Sequence, residues 1–337
     1  MLREWDPGTA SPTEIDAVLG TLNAVLAADL PDDPQWAVDS FREYLSVTMP
    51  GERRICWLAE ARPGAAGHGE HPLGHASVLL LGGTGVVEVL VHPAARRDRI
   101  GRALIETAAR RAAAEGLSSI SAEVVGGTPA VGFYESLGFE CDFVEVRSVL
   151  RLASVDWARL GEQARGVGAG YSIHCYPGGP PEDLYEQYAE AKWAVRTAVG
   201  ADPLPHDSGQ VKASLATLHA RGMKPYIVVG VHERTGQVAG LTEVVVPAQH
   251  PTRADQYDTV VVPEHRGYGL GRAIKARMLF ELRAAEPQLA EVQTWNAVEN
   301  EALRKVNAEL GFVVDREWRE YETDLPPLLA RLSRTSR

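Results

Sequence analysis

Apolar residues recur every three to four positions across 13–30 and 34–48, then alternate or run together across 54–61, 74–81 and 85–92. The first period predicts helices and the second strands. The pattern continues as a helix over 100–115, a strand over 119–125, a short helix over 129–137 and a strand over 140–152. The second half repeats that order. Helices are expected near 182–198 and 209–221, with strands near 224–233, 237–247 and 256–262. A helix over 270–285, a strand over 290–296, a helix over 299–309 and a strand over 312–323 complete it. Helices alternating with strands predict an α/β fold, a mixed (α+β) sheet with helices on its faces.

The repetition extends to single residues. With Pro93 laid on Pro263, Arg96 meets Arg266, Gly101 meets Gly271, Arg102 meets Arg272 and Ala103 meets Ala273. Farther on, the stretch ending Leu137-Gly138-Phe139 matches the one ending Leu310-Gly311-Phe312. Two matches in the same order imply a duplicated domain. A first domain is expected over 1–153 and a second over 171–337. Between them, a linker at 154–170 would hold a short helix near 157–165 and a flexible Gly-rich spacer at 166–170. Segments 63–72 and 177–181 read as a hairpin loop and an exposed turn.

The chemistry concentrates where Val260, Val261 and Val262 stop at Pro263. From there Glu264-His265-Arg266-Gly267-Tyr268-Gly269-Leu270-Gly271-Arg272 leads into a helix. Glycines at alternate positions let successive N–H groups converge on one small volume. At a helix start, unpaired N–H groups and the helix dipole favour an anion there. The spacing is not the Gly-x-Gly-x-x-Gly of a dinucleotide turn, and no Gly-Lys-Ser/Thr follows as a Walker loop requires. In the first half Arg97 and Arg99 replace Gly267 and Gly269, and Gly127 replaces Asn300. Those arginine side chains are expected to crowd the concavity.

Composition narrows the setting. The chain has 337 residues, 45% hydrophobic and 23% charged, which suits a globular protein of two domains. A net charge of −11 argues against a nucleic-acid partner. No apolar run reaches the ~18–20 residues of a membrane span, and residues 1–8 lack the apolar core of a secretory signal. Cys56, Cys141 and Cys175 lie far apart, and His206, His232, His250 and His265 have no metal-ligand spacing. The expectation is a cytoplasmic protein without a metal, a monomer or homodimer acting apart from membranes and nucleic acid.

A strand ending Val-x-Pro, then Arg-x-x-Gly-x-Gly opening a helix, then strand, Asn, helix and Leu-Gly-Phe resembles the GCN5-related N-acetyltransferase (GNAT) superfamily. Two copies in one chain resemble its tandem members of mycothiol synthase-like architecture. The resemblance implies two tandem acyl-CoA N-acyltransferase domains, the first with a degenerate CoA loop and the second with an intact one. It implies acetyl-CoA as cosubstrate. Val260, Val261 and Val262 would bind the pantetheine arm as an added strand. Arg266, Gly267, Tyr268, Gly269, Leu270, Gly271 and Arg272 would hold the pyrophosphate, and Asn296 and Asn300 would line the arm.

The resemblance also implies transfer of acetyl to a primary amine of a small molecule by direct attack, in the second domain. A base must take a proton from that amine, and Asp255, Asp258 and Glu243 are the candidates; Glu88 matches Asp258 in the first half. Tyr134 stands where many family members place a general acid, whereas the second domain has Asn307 there. Solvent, Tyr257 or Tyr268 would then protonate the thiolate, unless the first domain is the active one. Tyr188, Lys192, Trp193 and the loop 202–207 are expected to meet the acceptor. A non-catalytic acyl-CoA binder and a protein or peptide N-acetyltransferase stay open as alternatives.

Overall fold

The computed structural model describes residues 1–46, 52–61, 71–81, 83–198, 207–248 and 250–334. The expected loops at 63–72 and 202–207 lie almost wholly outside these residues. Two compact units result: Met1–Val144 with Glu317–Arg337, and Glu145–Arg316.

The first unit opens with strand β1 (Leu2–Trp5), helices α1 (Pro12–Asp29) and α2 (Val38–Ser46), and strands β2 (Glu52–Ala59), β3 (Gly74–Leu81) and β4 (Thr84–Val91). Helix α3 (Ile100–Ala114), strand β5 (Ser119–Val125), helix α4 (Pro129–Ser136) and strand β6 (Glu140–Arg151) follow. Ser11 starts α1 with a capping box: its side chain accepts from the Glu14 N–H while Glu14 reaches back to the Ser11 N–H.

The second unit holds α5 (Trp157–Arg165), β7 (Tyr171–Pro177), α6 (Tyr185–Ala198), α7 (Ser208–Ala220), β8 (Met223–His232), β9 (Gln237–Pro247) and β10 (Arg253–Val261). It continues with α8 (Leu270–Ala285), β11 (Glu291–Ala297), α9 (Glu301–Leu310) and β12 (Val313–Asp324), and α10 (Leu325–Arg334) ends the described chain. Helix α5 packs on α8 through Trp157 and Phe280, and Gly168 N–H donates to the Tyr268 carbonyl at 3.1 Å. The Gly-rich spacer is thus fastened to the loop before α8 and is not loose.

Both sheets follow one plan. In the first unit β1, β2, β3 and β4 pair antiparallel in order, β4 pairs parallel with β5, and β5 pairs antiparallel with Trp318–Asp324 of β12. In the second, β7, β8, β9 and β10 pair antiparallel, β10 pairs parallel with β11, and β11 pairs antiparallel with Glu145–Arg151 of β6. Each repeat therefore gives its final strand to the other repeat's sheet, so the compact units cross the sequence boundary between the repeats.

Each sheet is covered on both faces. In the second unit α8 packs on Val228, Val244 and Val292, while α6 and α7 pack on Ile227, Val229, Leu241 and Val260. In the first, α3 and α10 cover Val78 and Val87, with Leu325, Leu328 and Leu332 buried, and α1 and α2 cover Cys56 and Leu58.

Candidate active site

The second unit's site begins where its strands separate. Pairing of β10 with β11 ends at Gln256–Thr294. On the other edge of β10, Gln256 faces Val244 and Thr259 faces Thr242, so β10 carries one extra residue between them. This bulge re-aims the strand and presents Asp258. Beyond it Val260 and Val261 stay paired with Leu241 and Gly240 of β9. The edge of Val260–Val262 turned toward β11 is the one the family resemblance gives to pantetheine.

The loop that follows has the expected anion-cradle backbone. Gly267 (φ 87°) and Gly269 (φ 76°) are left-handed, a conformation glycine adopts without strain. A Cβ on Gly267 would meet nothing within 4 Å, so a pyrophosphate has room there; one on Gly269 would lie 3.0 Å from the Gly166 carbonyl. Arg266 is exposed and donates to the Val261 carbonyl at 3.1 Å. Tyr268 is exposed, Leu270 and Gly271 begin α8, and Leu270 is a core residue. Arg272 is committed to Glu309 of α9 at 2.9 Å. Tyr171 and His265 Nδ1, 2.9 Å apart, fix the loop to β7.

Two of the three candidate bases come together. Lys192 of α6 reaches Glu243 Oε1 and Oε2 at 3.1 and 3.0 Å and Asp258 Oδ2 at 2.6 Å. The Glu243 side chain is 11% exposed and that of Asp258 38%. Burial first, and then the Asp258 carboxylate, hold the Glu243 carboxyl well above the usual carboxylate range. Asp255 stands apart from this trio: it accepts from Gln293 Nε2 at 2.6 Å, and burial raises its carboxyl against the pull of that hydrogen bond and of Arg253 and Arg147.

Other expected contacts have structural employment. Tyr188 is buried among Ala189, Leu215 and Val260, its ring 5.6 Å from the Lys192 ammonium. Trp193 is half-buried on the same helix. Asn300 caps α9, accepting from Leu303 N–H at 3.2 Å. Asn296 is buried and accepts from Asn307 Nδ2 at 2.6 Å, while Asn307 Oδ1 is buried with no partner among the described residues. Tyr257 keeps an exposed ring face, and desolvation by the residues packed around it together with the Asp255 charge pushes its pKa up to about 12.

The first unit repeats the splay, β4 leaving β5 after Val86–Ser121, but β3 and β4 pair without a bulge. Its loop keeps the backbone of the second unit's loop. Arg97 (φ 72°) and Arg99 (φ 61°) take the left-handed backbone of the glycines they replace, and their side chains are exposed. Arg96 is tied to Asp29 at 2.8 and 2.7 Å. Glu88 receives a 3.4 Å hydrogen bond from Tyr44, and Arg54 donates to Tyr44 and Ser77. Desolvation raises the Glu88 carboxyl although Arg54 opposes it. Tyr134 is buried against Phe133, Phe139 and Tyr321, and burial and the Glu88 charge raise its hydroxyl.

Sequence reasoning missed Lys275, 2% exposed, whose Nζ donates to Gln256 Oε1 at 3.1 Å. Burial alone draws its pKa down to about 7. The repeat held the signal, because the first helix has Ile105 at that place.

Six strands with one parallel pair that splays, and a left-handed loop carrying the central strand into its helix, define an acetyltransferase fold of the GNAT type, present twice. The chain resembles the tandem members of that superfamily. The model of the acetyltransferase (GNAT) family matches residues 29–139, within the first repeat. A mycothiol acetyltransferase of Sanguibacter keddieii is 29% identical over 223 residues, 63% of this chain and 66% of that protein. A mycothiol acetyltransferase of Cellulomonas flavigena is 25% identical over 294 residues, 81% of this chain and 79% of that protein. Among solved structures, a tandem GNAT protein from the clavulanic acid biosynthesis pathway has a TM-score of 0.78 at 25% identity, covering 96% of this chain and 99% of its own. A GCN5-related N-acetyltransferase from Sphaerobacter thermophilus shares the fold, with a TM-score of 0.69 at 15% identity and coverage of 96% and 95%. Among the described residues no helix is long and apolar enough to cross a membrane, and no group of His, Cys, Asp and Glu could hold a metal ion.

Proposed function

We propose that the protein transfers acetyl from acetyl-CoA to a primary amine of a small molecule, and that the second unit does the chemistry. The observation that carries this reading is the trio of Lys192 on α6, Glu243 on β9 and Asp258 on the β10 bulge, where β10 and β11 separate, on the strand that leads into the Gly267–Gly271 loop. The amine nitrogen attacks the thioester carbon. The N–C bond forms, the C–S bond breaks, and the amine proton passes to the Asp258/Glu243 pair, directly or through water. A thiol of pKa near ~8.5 leaves readily, so solvent protonates the thiolate where Asn307 cannot. Relatives named for mycothiol acetylation favour a small acceptor over a protein. The compartment is taken as the cytoplasm.

A second reading has its own support. The family model matches the first repeat, where Glu88 acts electrostatically on Tyr134, the base and acid positions of a complete pair. Thiol release from acetyl-CoA across a panel of amines separates the two. The second-unit reading expects Asp258→Asn to lower kcat roughly 10²–10³-fold, Gly269→Arg to raise KM for acetyl-CoA, and Glu88→Gln and Tyr134→Phe to act near wild type. The reverse pattern assigns the chemistry to the first unit. Tight acetyl-CoA binding without transfer to any amine would leave a binder.

A further inference from the structure

The bulge that presents Asp258 is filled from beneath. Gln256 Nε2 donates to Thr242 Oγ1 at 2.9 Å and to the Glu243 carbonyl at 2.5 Å, with the Asp258 carbonyl at 3.4 Å. Thr242 and Thr259 hydroxyls lie 2.8 Å apart. Lys275 closes the network from α8 through Gln256 Oε1, its ammonium end 5.3 Å from the Phe312 ring. Thr242, Gln256 and Lys275 are all buried.

The duplication supplies a control inside the same chain. Gly74 faces Val91 in the first unit as Gly240 faces Val261 in the second. From that register Ala76 stands for Thr242, Val89 for Thr259 and Val87 for Gln256; the helix starts at Ile100 and Leu270 place Ile105 opposite Lys275. Four polar positions in one copy are four apolar positions in the other. The copy with the polar set has the bulge, and the copy without it pairs β3 and β4 in unbroken register. An extra residue leaves ladder carbonyls without strand partners, and a buried carbonyl needs a donor. Gln256 is that donor, and its own oxygen needs one in turn, which Lys275 supplies.

We propose that Lys275 and Gln256 are positioning residues, a buried polar plug that holds the β10 bulge and thereby fixes where Asp258 stands against the thioester. The proposal rests on the second-unit reading of the activity. The neutral form of the amine suffices for the hydrogen bond, and burial, which draws its pKa down to about 7, brings that form within reach at neutral pH. No charged group of the elements packed on α8 shifts Lys275; the Glu243 and Asp258 carboxylates of β9 and β10 are engaged by Lys192 of α6.

Three variants test it in the full chain: Lys275→Gln, which keeps a donor without charge; Lys275→Met, which removes it; and Thr242→Ala/Gln256→Val/Lys275→Ile, which installs the first unit's residues. Lys275→Gln is expected near wild type. The other two are expected to lose roughly 10²-fold in kcat, with KM for acetyl-CoA within about threefold and the acid limb of the kcat–pH profile moved by about one unit. Wild-type kcat and pH profile in Lys275→Met and in the triple variant would overturn the proposal. Loss of cooperative unfolding together with acetyl-CoA binding in all three would assign the plug to stability alone and overturn it as well. Asp258→Asn run alongside tests the underlying reading: full activity there means the second-unit chemistry has failed, whatever the Lys275 variants do.

Discussion

Lys192 stands between two carboxylates, so the trio is one cation short of neutrality when both acids are ionised. Burial and the Asp258 charge push Glu243 toward its protonated form. Activity that needs the pair deprotonated therefore rises with pH, through a midpoint above the ordinary carboxylate range. Lys192→Met removes the attraction that favours the ionised acids, and the acid limb of kcat/KM is expected to move to higher pH; a move to lower pH would contradict this assignment. Lys275 acts with the opposite sign. Its folded pKa, about 7, lies below the ordinary lysine value of 10.5, so between these values the unfolded chain binds more protons. Stability from this residue is complete above the unfolded pKa and is lost as pH falls toward about 7, with a slope of at most about 1.4 kcal/mol per pH unit. Denaturant titrations from pH 7 to 10 are expected to show that slope in wild type and not in Lys275→Met. The candidate bases Asp258 and Glu243 are legible in the sequence as carboxylates near the central strand. Their meeting through Lys192 is not, because no spacing along one chain encodes a contact between α6, β9 and β10.

At the scale of elements the two loops make a matched pair. Arg97 and Arg99 hold a backbone that costs an L-residue roughly 1–2 kcal/mol each, and Gly267 and Gly269 hold it without that cost. Because the first unit folds around Arg99, Gly269→Arg is expected to keep the fold. Its side chain would stand beside the Gly166 carbonyl and the pyrophosphate volume. Isothermal titration with acetyl-CoA is expected to show weaker binding, with a melting temperature lowered by only a few degrees for the strained left-handed arginine; unchanged affinity would remove this loop from the cosubstrate site. The central strands, α3, α8 and both loops were readable from periodicity and glycine spacing. Three elements were not. β1 is four residues at a sheet edge, and β7 lies between two Gly-rich segments that read as turns. The helix α10 opens Leu325-Pro326-Pro327, where proline reads as a breaker but is tolerated in a first turn that needs no donor.

For the whole molecule, the exchange of final strands makes each compact unit depend on both halves of the sequence. Periodicity shows that the segment near 312–323 is a strand; it cannot show which sheet takes it, since both offer the same apolar alternation. Tyr321, Leu325, Leu328 and Leu332 are buried in the first unit's core, and burying such side chains is worth about 1.5–3 kcal/mol each, comparable in sum to a domain's whole stability. A chain ending at Arg316 is therefore expected to lose the first unit's cooperative unfolding, read by hydrogen exchange at β2–β4; wild-type protection there would contradict the exchange. The proposed chemistry puts acetyl-CoA in the second unit, with its thioester at the bulge. A crystal structure with the cosubstrate tests it most directly. The pyrophosphate is expected on the N–H groups of Gly267–Gly271 and the sulfur in the opening beyond Gln256–Thr294, beside Asp258. Acetyl-CoA bound at the Arg96–Arg102 loop alone, with that opening free, would contradict it.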